Sequence, residues 1–223
     1  MKACIISDTH EGHEKLATLP NADLLIHCGD ITKKGSPVAM EKFLIWFSAQ
    51  PHANKIFVMG NHELGWDYGP TRSAKLELVK EFTDKYSNLH YLENSEVTID
   101  GLKIFASPIT PYYFGWAWNV HRGEQIAKYW ENIPSDTAIL ISHGPPYGIL
   151  DLIDQSPIDN RDPHQGCEEL AKRILQLKNL KLHAFGHIHH SHGTHIENGI
   201  TFVNGAICND NNQPVREPIV VEI

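Results

Sequence analysis

Ala3-Cys4-Ile5-Ile6-Ser7-Asp8-Thr9-His10 decides the fold: four apolar residues run into a polar end that carries a carboxylate and an imidazole two residues apart. The run is too short to form a helix face, and its make-up suits a strand buried on both sides. Asp8 and His10, at i and i+2 of extended chain, project to the same side. The pattern recurs down the chain. Leu24-Leu25-Ile26-His27-Cys28 ends in Gly29-Asp30, and Ile56-Phe57-Val58-Met59 ends in Gly60-Asn61-His62-Glu63. Ala138-Ile139-Leu140-Ile141 leads to His143-Gly144-Pro145, and Phe185 opens Gly186-His187-Ile188-His189. Neighbouring strands of this kind would pool seven donors at one edge: Asp8, His10, Asp30, Asn61, His143, His187 and His189.

The segments between these runs carry helix and turn signals. Ser36-Pro37 pairs an N-cap with a first-turn proline, and Met40, Phe43, Leu44 and Phe47 follow on one face. A second helix is predicted over Ser73–Tyr86, with Leu76, Val79 and Phe82 inward, and further helices over Arg122–Asn132 and Cys167–Lys178. Asp100-Gly101 and Asn198-Gly199 are tight-turn pairs, predicting hairpins across 96–105 and 195–203. Pro218–Val221 reads as a closing strand. Alternating βα units followed by hairpins predict parallel strands in the first half and antiparallel ones in the second. Two mixed sheets packed face to face with helices outside would result, the ligand site lying beyond the carboxyl ends of the strands.

At 223 residues with no linker, repeat or low-complexity tract, the chain reads as a single domain over 1–223. No apolar run approaches the roughly 18 residues of a membrane span, and Met1-Lys2-Ala3 opens no signal peptide. Cys4, Cys28, Cys167 and Cys208 are scattered, with two inside apolar runs, which suits reduced thiols and a cytoplasmic location. A net charge of −8 without a basic stripe argues against long nucleic acid as a partner.

Carboxylate, imidazole and one amide oxygen, without thiolate, suit Mn, Fe or Zn. Seven ligands exceed what one ion takes from protein and suffice for two ions about 4 Å apart with open positions for water and substrate. Two divalent ions, two aspartates and a hydroxide leave about one net positive charge, which attracts a phosphodiester and stabilises charge on its oxygens. His62, next to Asn61, is held at the site without having to bind metal, which makes it the candidate general acid.

Asp8-x-His10, Gly29-Asp30, Gly60-Asn61-His62-Glu63, His143-Gly144-Pro145-Pro146 and Gly186-His187-x-His189 together resemble the calcineurin-like metallophosphoesterase superfamily, in its order. Trp116-Ala117-Trp118-Asn119-Val120-His121-Arg122-Gly123, His164-x-Gly166-Cys167-Glu168-Glu169-Leu170 and Phe202-Val203-Asn204 are similar to the narrower group of small metallophosphoesterase-domain phosphodiesterases. The resemblance implies a four-layer α/β/β/α sandwich. It implies one ion on Asp8, His10 and His189, the other on Asn61, His143 and His187, Asp30 bridging, and His62 as proton donor. Two divalent ions are implied, Mn first among them with Fe, Zn or Ni as substitutes. The activity implied is hydrolysis of small phosphodiesters or nucleotides, cyclic nucleotides among them, by direct attack of a metal-bridging hydroxide. Gly29-Asp30 continues as Ile31-Thr32-Lys33, not as the D-x-V-D-R-G of the protein phosphatases, so protein phosphatase activity is not expected.

Two rival readings are a non-catalytic metal-binding interaction scaffold and a metal-dependent nuclease. The complete ligand set disfavours the first and the acidic balance the second. No substrate-binding side chain is assigned. His27 and His183 read as core or strand-edge residues, His13, His190, His192 and His195 as bystanders, and His164 as a helix cap or a residue near substrate. Of Tyr112, Tyr113, Phe114, Trp116 and Trp118, most are expected to plug the sheet and one or two to touch ligand.

Overall fold

Each apolar run is a strand whose alternate residues face opposite ways, and this sorts the hydrophobic residues into layers. A computed structural model describes residues 1–154 and 162–223. The chain begins with β1 (Lys2–Ile6), β2 (Leu24–His27), α1 (Pro37–Ser48), β3 (Asn54–Phe57), α2 (Arg72–Lys85) and β4 (Leu89–Tyr91). A hairpin of β5 (Ser95–Ile99) and β6 (Leu102–Ser107) follows, then the short pair β7 (Thr110–Pro111) and β8 (Asn119–Val120). The second half runs through α3 (Glu124–Glu131), β9 (Ile139–Ser142), α4 (Glu168–Ile174) and β10 (Leu182–Phe185). It closes with β11 (Gly193–Glu197), β12 (Ile200–Asn204) and β13 (Ile219–Glu222).

One sheet has the order β13-β1-β2-β3-β4, the other β11-β12-β10-β9-β6-β5. Ala3, Ile5, Ile26 and Val58 of the first share a buried layer with Ile104, Ile141, Ala184 and Val203 of the second, so the sheets pack face to face. The alternate residues face helices: Phe43 and Phe47 of α1 pack on Phe57, while Ile126 and Trp130 of α3 and Leu170 of α4 join Leu140, Phe185 and Phe202. The result is the expected α/β/β/α sandwich. Each fully buried Ile, Leu or Phe here contributes about 1.5–3 kcal/mol of transfer free energy.

Local signals are realised closely. Ser36 Oγ accepts the Ala39 amide, capping α1, and Asp100-Gly101 and Asn198-Gly199 all take positive φ in their turns. The second half departs from expectation. β6, β9, β10 and β12 are parallel neighbours, and among the described residues of this half only the edge strands β5, β11 and β13 pair antiparallel. Hairpins determine how an edge strand pairs with its partner, not how that partner pairs inward. β4 has no counterpart among the expected elements: Leu89-His90-Tyr91 is too short for a periodic signal and forms by pairing with β3. The last predicted helix stops at Ile174, yet Leu177 stays buried in the turn beyond it. Among the described residues no helix is long and apolar enough to cross a membrane.

Candidate metal centre

All five ligand-bearing segments leave their strands on the carboxyl side, and three of them do so through left-handed backbone. Asp8, His10, Asp30 and His187 have φ of +54°, +41°, +55° and +70°. Left-handed conformations cost non-glycine residues of the order of 1–3 kcal/mol, and such strain concentrates at functional sites. The motif glycines make room for this crowding. A Cβ on Gly186 would collide with Asp8 Oδ2 and Ser7 Oγ, and one on Gly60 with Asp30 Oδ1.

The seven predicted ligands converge. Asp8, His10 and His189 offer donor atoms all within 4.8 Å of one another, as do Asp30, His143 and His187. Asn61 Oδ1 lies 2.9 Å from His143 Nε2, which places the amide with the second group. Asp30 joins the groups, since it also forms a 4.8 Å cluster with His10 and His62. Asp8, His10, Asp30, Asn61 and His143 are buried, whereas His62, His187 and His189 are partly open to solvent.

Backbone carbonyls aim the imidazoles. The Nδ1–H groups of His10, His143 and His189 donate to Thr32 O (3.3 Å), Cys28 O (2.8 Å) and Asn209 O (3.2 Å), which turns each Nε2 toward the cluster. This is the orienting outer layer that metal-binding histidines usually have. The carboxylates are held by amides: His187 N–H on Asp8 (2.9 and 3.1 Å) and His62 N–H on Asp30 Oδ1 (2.8 Å).

The electrostatics ask for cations. Burial alone would raise Asp8 and Asp30, but neighbouring histidines outweigh it: mainly His189 for Asp8 and His143 for Asp30. Both carboxyls end well below the usual range. Burial likewise opposes protonation of His143, yet the charge and hydrogen bond of Asp30 carry it up to about 9. His187, with burial dominant, is pushed down to about 4. Buried acids drawing protons onto buried imidazoles, with oxygen and nitrogen donors only, fit a pair of divalent ions.

His62 stands beside the ligands rather than among the two ligand groups. Its Nδ1–H donates to Lys33 O at 2.9 Å, its Nε2 is 3.8 Å from Asp30 Oδ2, and Trp116 meets its ring edge-on at 4.2 Å between centroids. No reading of residue types identifies the partner that orients His62, because that partner is a main-chain carbonyl. Glu63 likewise has no role that the sequence alone discloses. Its buried carboxyl accepts from Thr32 N and Oγ1 and from Gly60 N, so it fixes both the carbonyl that orients His10 and the turn that carries Asn61. Burial, then the charge of Asp30, pushes Glu63 up to about 8.

The histidines discounted by sequence stay away from the two ligand groups. His27 and His183 are fully buried in strands, and His13 packs on Phe43 and Trp46. His164 caps no helix; its Nδ1 lies 2.6 Å from the buried Asp151. The expected aromatic plug is reduced to Trp118, since Tyr112, Tyr113 and Phe114 are at least half exposed on a turn reversed at Phe114 and Gly115.

Two joined groups of oxygen and nitrogen donors, on the carboxyl edge of this sandwich, are the plan of a metal-dependent hydrolase of phosphate esters. The chain belongs to the calcineurin-like phosphoesterase family, whose model matches residues 1–191. It is similar to metallophosphoesterase domain-containing protein 1 of Homo sapiens, 36% identical across 98% of this chain and 69% of that protein. It is also similar to the UPF0046 protein K07C11.7 of Caenorhabditis elegans, 37% identical across 100% of this chain and 75% of the other. Among solved structures, TT1561 of Thermus thermophilus shares the fold, with a TM-score of 0.61 at 16% identity over 91% of this chain and 88% of that one. The protein is a metal-dependent phosphoesterase.

Proposed function

We propose that residues 1–223 form one catalytic domain that hydrolyses small phosphodiesters, cyclic nucleotides among the candidates, with two metal ions. The observation that carries this reading is the pair of three-residue clusters that both run through or against Asp30. Asp8, His10 and His189 would hold one ion, Asn61, His143 and His187 the other, with Asp30 between them. Mn is the first choice on the donor set, with Fe, Zn or Ni as substitutes. When bound, the ions supply positive charge for the phosphoryl oxygens and a water acidic enough to attack phosphorus near neutral pH.

The protein's own groups do the rest. His62 sits at the partly open side of the cluster, with Nδ1–H pinned by Lys33 O, so Nε2 is the nitrogen left to hand a proton to the departing alkoxide. Trp116 keeps the ring from swinging away. A direct displacement fits, because burial pushes all four cysteine thiols above their ordinary range and so withholds a thiolate nucleophile. Free, buried thiols also support a reducing, cytoplasmic setting. The retention of every ligand favours an enzyme over a scaffold.

Hydrolysis of an aryl phosphodiester should vanish with chelator and return with Mn²⁺; turnover indifferent to both treatments would refute the reading. His62→Ala should lower kcat by about 10²–10⁴-fold, with the bound Mn unchanged by elemental analysis. Loss of metal together with activity would instead make His62 a ligand.

A further inference from the structure

Next to the metal cluster, and sharing His187 with it, lies a recess of about 290 Å³. Its walls are chemically distinct. Tyr112 and Tyr113 line it on one strand-loop segment, and Ile153 and Ile188 supply aliphatic surface from two other segments. Tyr112 is braced from behind: its ring stacks on His121 at 4.5 Å between centroids with planes 20° apart. The ring therefore has one face already occupied and its orientation set.

The polar part of the recess is Arg122 and Gln165, and Arg122 is not a free cation. Its Nη1 donates to Gly166 O at 2.7 Å and to Glu168 Oε2 at 2.6 Å, and its Nη2 to Gln165 O at 3.0 Å. The guanidinium is spent on holding the 165–168 segment, with its charge met by Glu168. The same segment is tied down by Asp151, whose buried carboxylate takes the Gly166 amide at 3.0 Å and the His164 ring at 2.6 Å. The recess is thus preformed, partly aromatic, and electrostatically balanced at its one described cation.

Resting on the phosphodiesterase reading above, we propose that this recess binds the uncharged, planar ester group of the diester, with Tyr112 as the specificity-determining residue. Size fits: an engineered apolar cavity of about 150 Å³ holds one benzene, so this recess takes an aryl or fused two-ring group. A second phosphate would meet a guanidinium already neutralised. Stacking on a fixed ring adds binding without being part of the chemical step, so it acts on KM more than on kcat.

The test compares two diesters with the same leaving group, p-nitrophenyl phenyl phosphate and p-nitrophenyl ethyl phosphate, hydrolysed with Mn²⁺. The wild-type protein should prefer the phenyl ester through a lower KM. Tyr112→Ala should reduce the phenyl-to-ethyl ratio of kcat/KM by up to about tenfold, the limit for an aromatic pair, and Tyr112→Phe should restore it. A ratio unchanged in Tyr112→Ala, while both esters are still hydrolysed, overturns the recess proposal and leaves the phosphodiesterase reading standing. Hydrolysis of neither ester by the wild-type protein overturns both.

Discussion

His27 and His183 lie within strands and His143 lies just beyond one, and all three are fully buried. Burial is the largest influence on each, and it disfavours the charged ring. His27 and His183 obey it and are pushed down to about 3. His143 is carried the other way, up to about 9, because Asp30 Oδ1 stands 3.2 Å from its Nε2. The same side chain at the same depth is a neutral core residue in the strand body and a cation-seeking group at the strand end. The interior of the sandwich is uniform in desolvation. What makes its edge a site is the carboxylates that the left-handed turns at Asp8 and Asp30 push inward.

Removing that difference should have the largest effect. Asp30→Asn keeps the shape of the side chain, including acceptance of the His62 amide, but takes away the charge that both groups share. Losing charge stabilisation of several kcal/mol corresponds to about a 10³-fold fall in kcat/KM at saturating Mn²⁺. The proton affinity of His143, followed by NMR titration of the metal-free protein, should fall toward that of its strand-body counterparts. If His143 keeps its raised value in Asp30→Asn, the comparison is wrong about its cause.

A smaller effect sharpens the same contrast through the metal. Below about 9, His143 holds a proton in the metal-free protein that an ion must displace. Affinity for Mn²⁺ should therefore rise with pH between 6 and 8, by up to about tenfold per pH unit for each proton released. Calorimetry in buffers of different ionisation enthalpy counts those protons. An affinity flat across that range would mean His143 is already neutral.

Much of this was legible in the chain, for reasons that differ by residue. The ligands could be read because each ends an apolar run, so strand and site are encoded in one short stretch such as Ala3–His10. The hairpins could be read because Asp100-Gly101 and Asn198-Gly199 carry their turn geometry locally. The parallel core of the second sheet could not, because the pairing of β9 with both β6 and β10 depends on contacts between distant segments. The supports of the site were hidden for a related reason. Thr32, Cys28, Lys33 and Asn209 act through main-chain carbonyls, to which residue identity gives no clue. Even His27, which reads in the sequence as a core or strand-edge residue, has a part in the site's frame: it accepts the Gly29 amide at 3.2 Å, next to Asp30.

The smallest effect belongs to the strand-body histidines and shows in stability. Ser142 Oγ donates to Gly144 O at 2.7 Å, so the His183 Nε2–H must donate to Ser142 Oγ, also at 2.7 Å. That fixes the neutral tautomer, with Nδ1 buried and unprotonated. Its folded-state affinity, about 3, lies below the 6.5 of an exposed ring. As pH falls through 6.5 the unfolded chain takes up this proton first, so unfolding gains by about 1.4 kcal/mol per pH unit until about 3. His183→Leu cannot take up that proton in either state. Urea unfolding of the metal-free variant should show a shallower loss of stability between pH 6 and 4 than the wild type, by about that slope. At pH 7 the variant itself should be somewhat less stable, having left Ser142 with one partner fewer. Equal slopes in the two proteins would mean that His183 titrates normally in the folded state, and the strand body would then differ from the strand end by less than the structure requires.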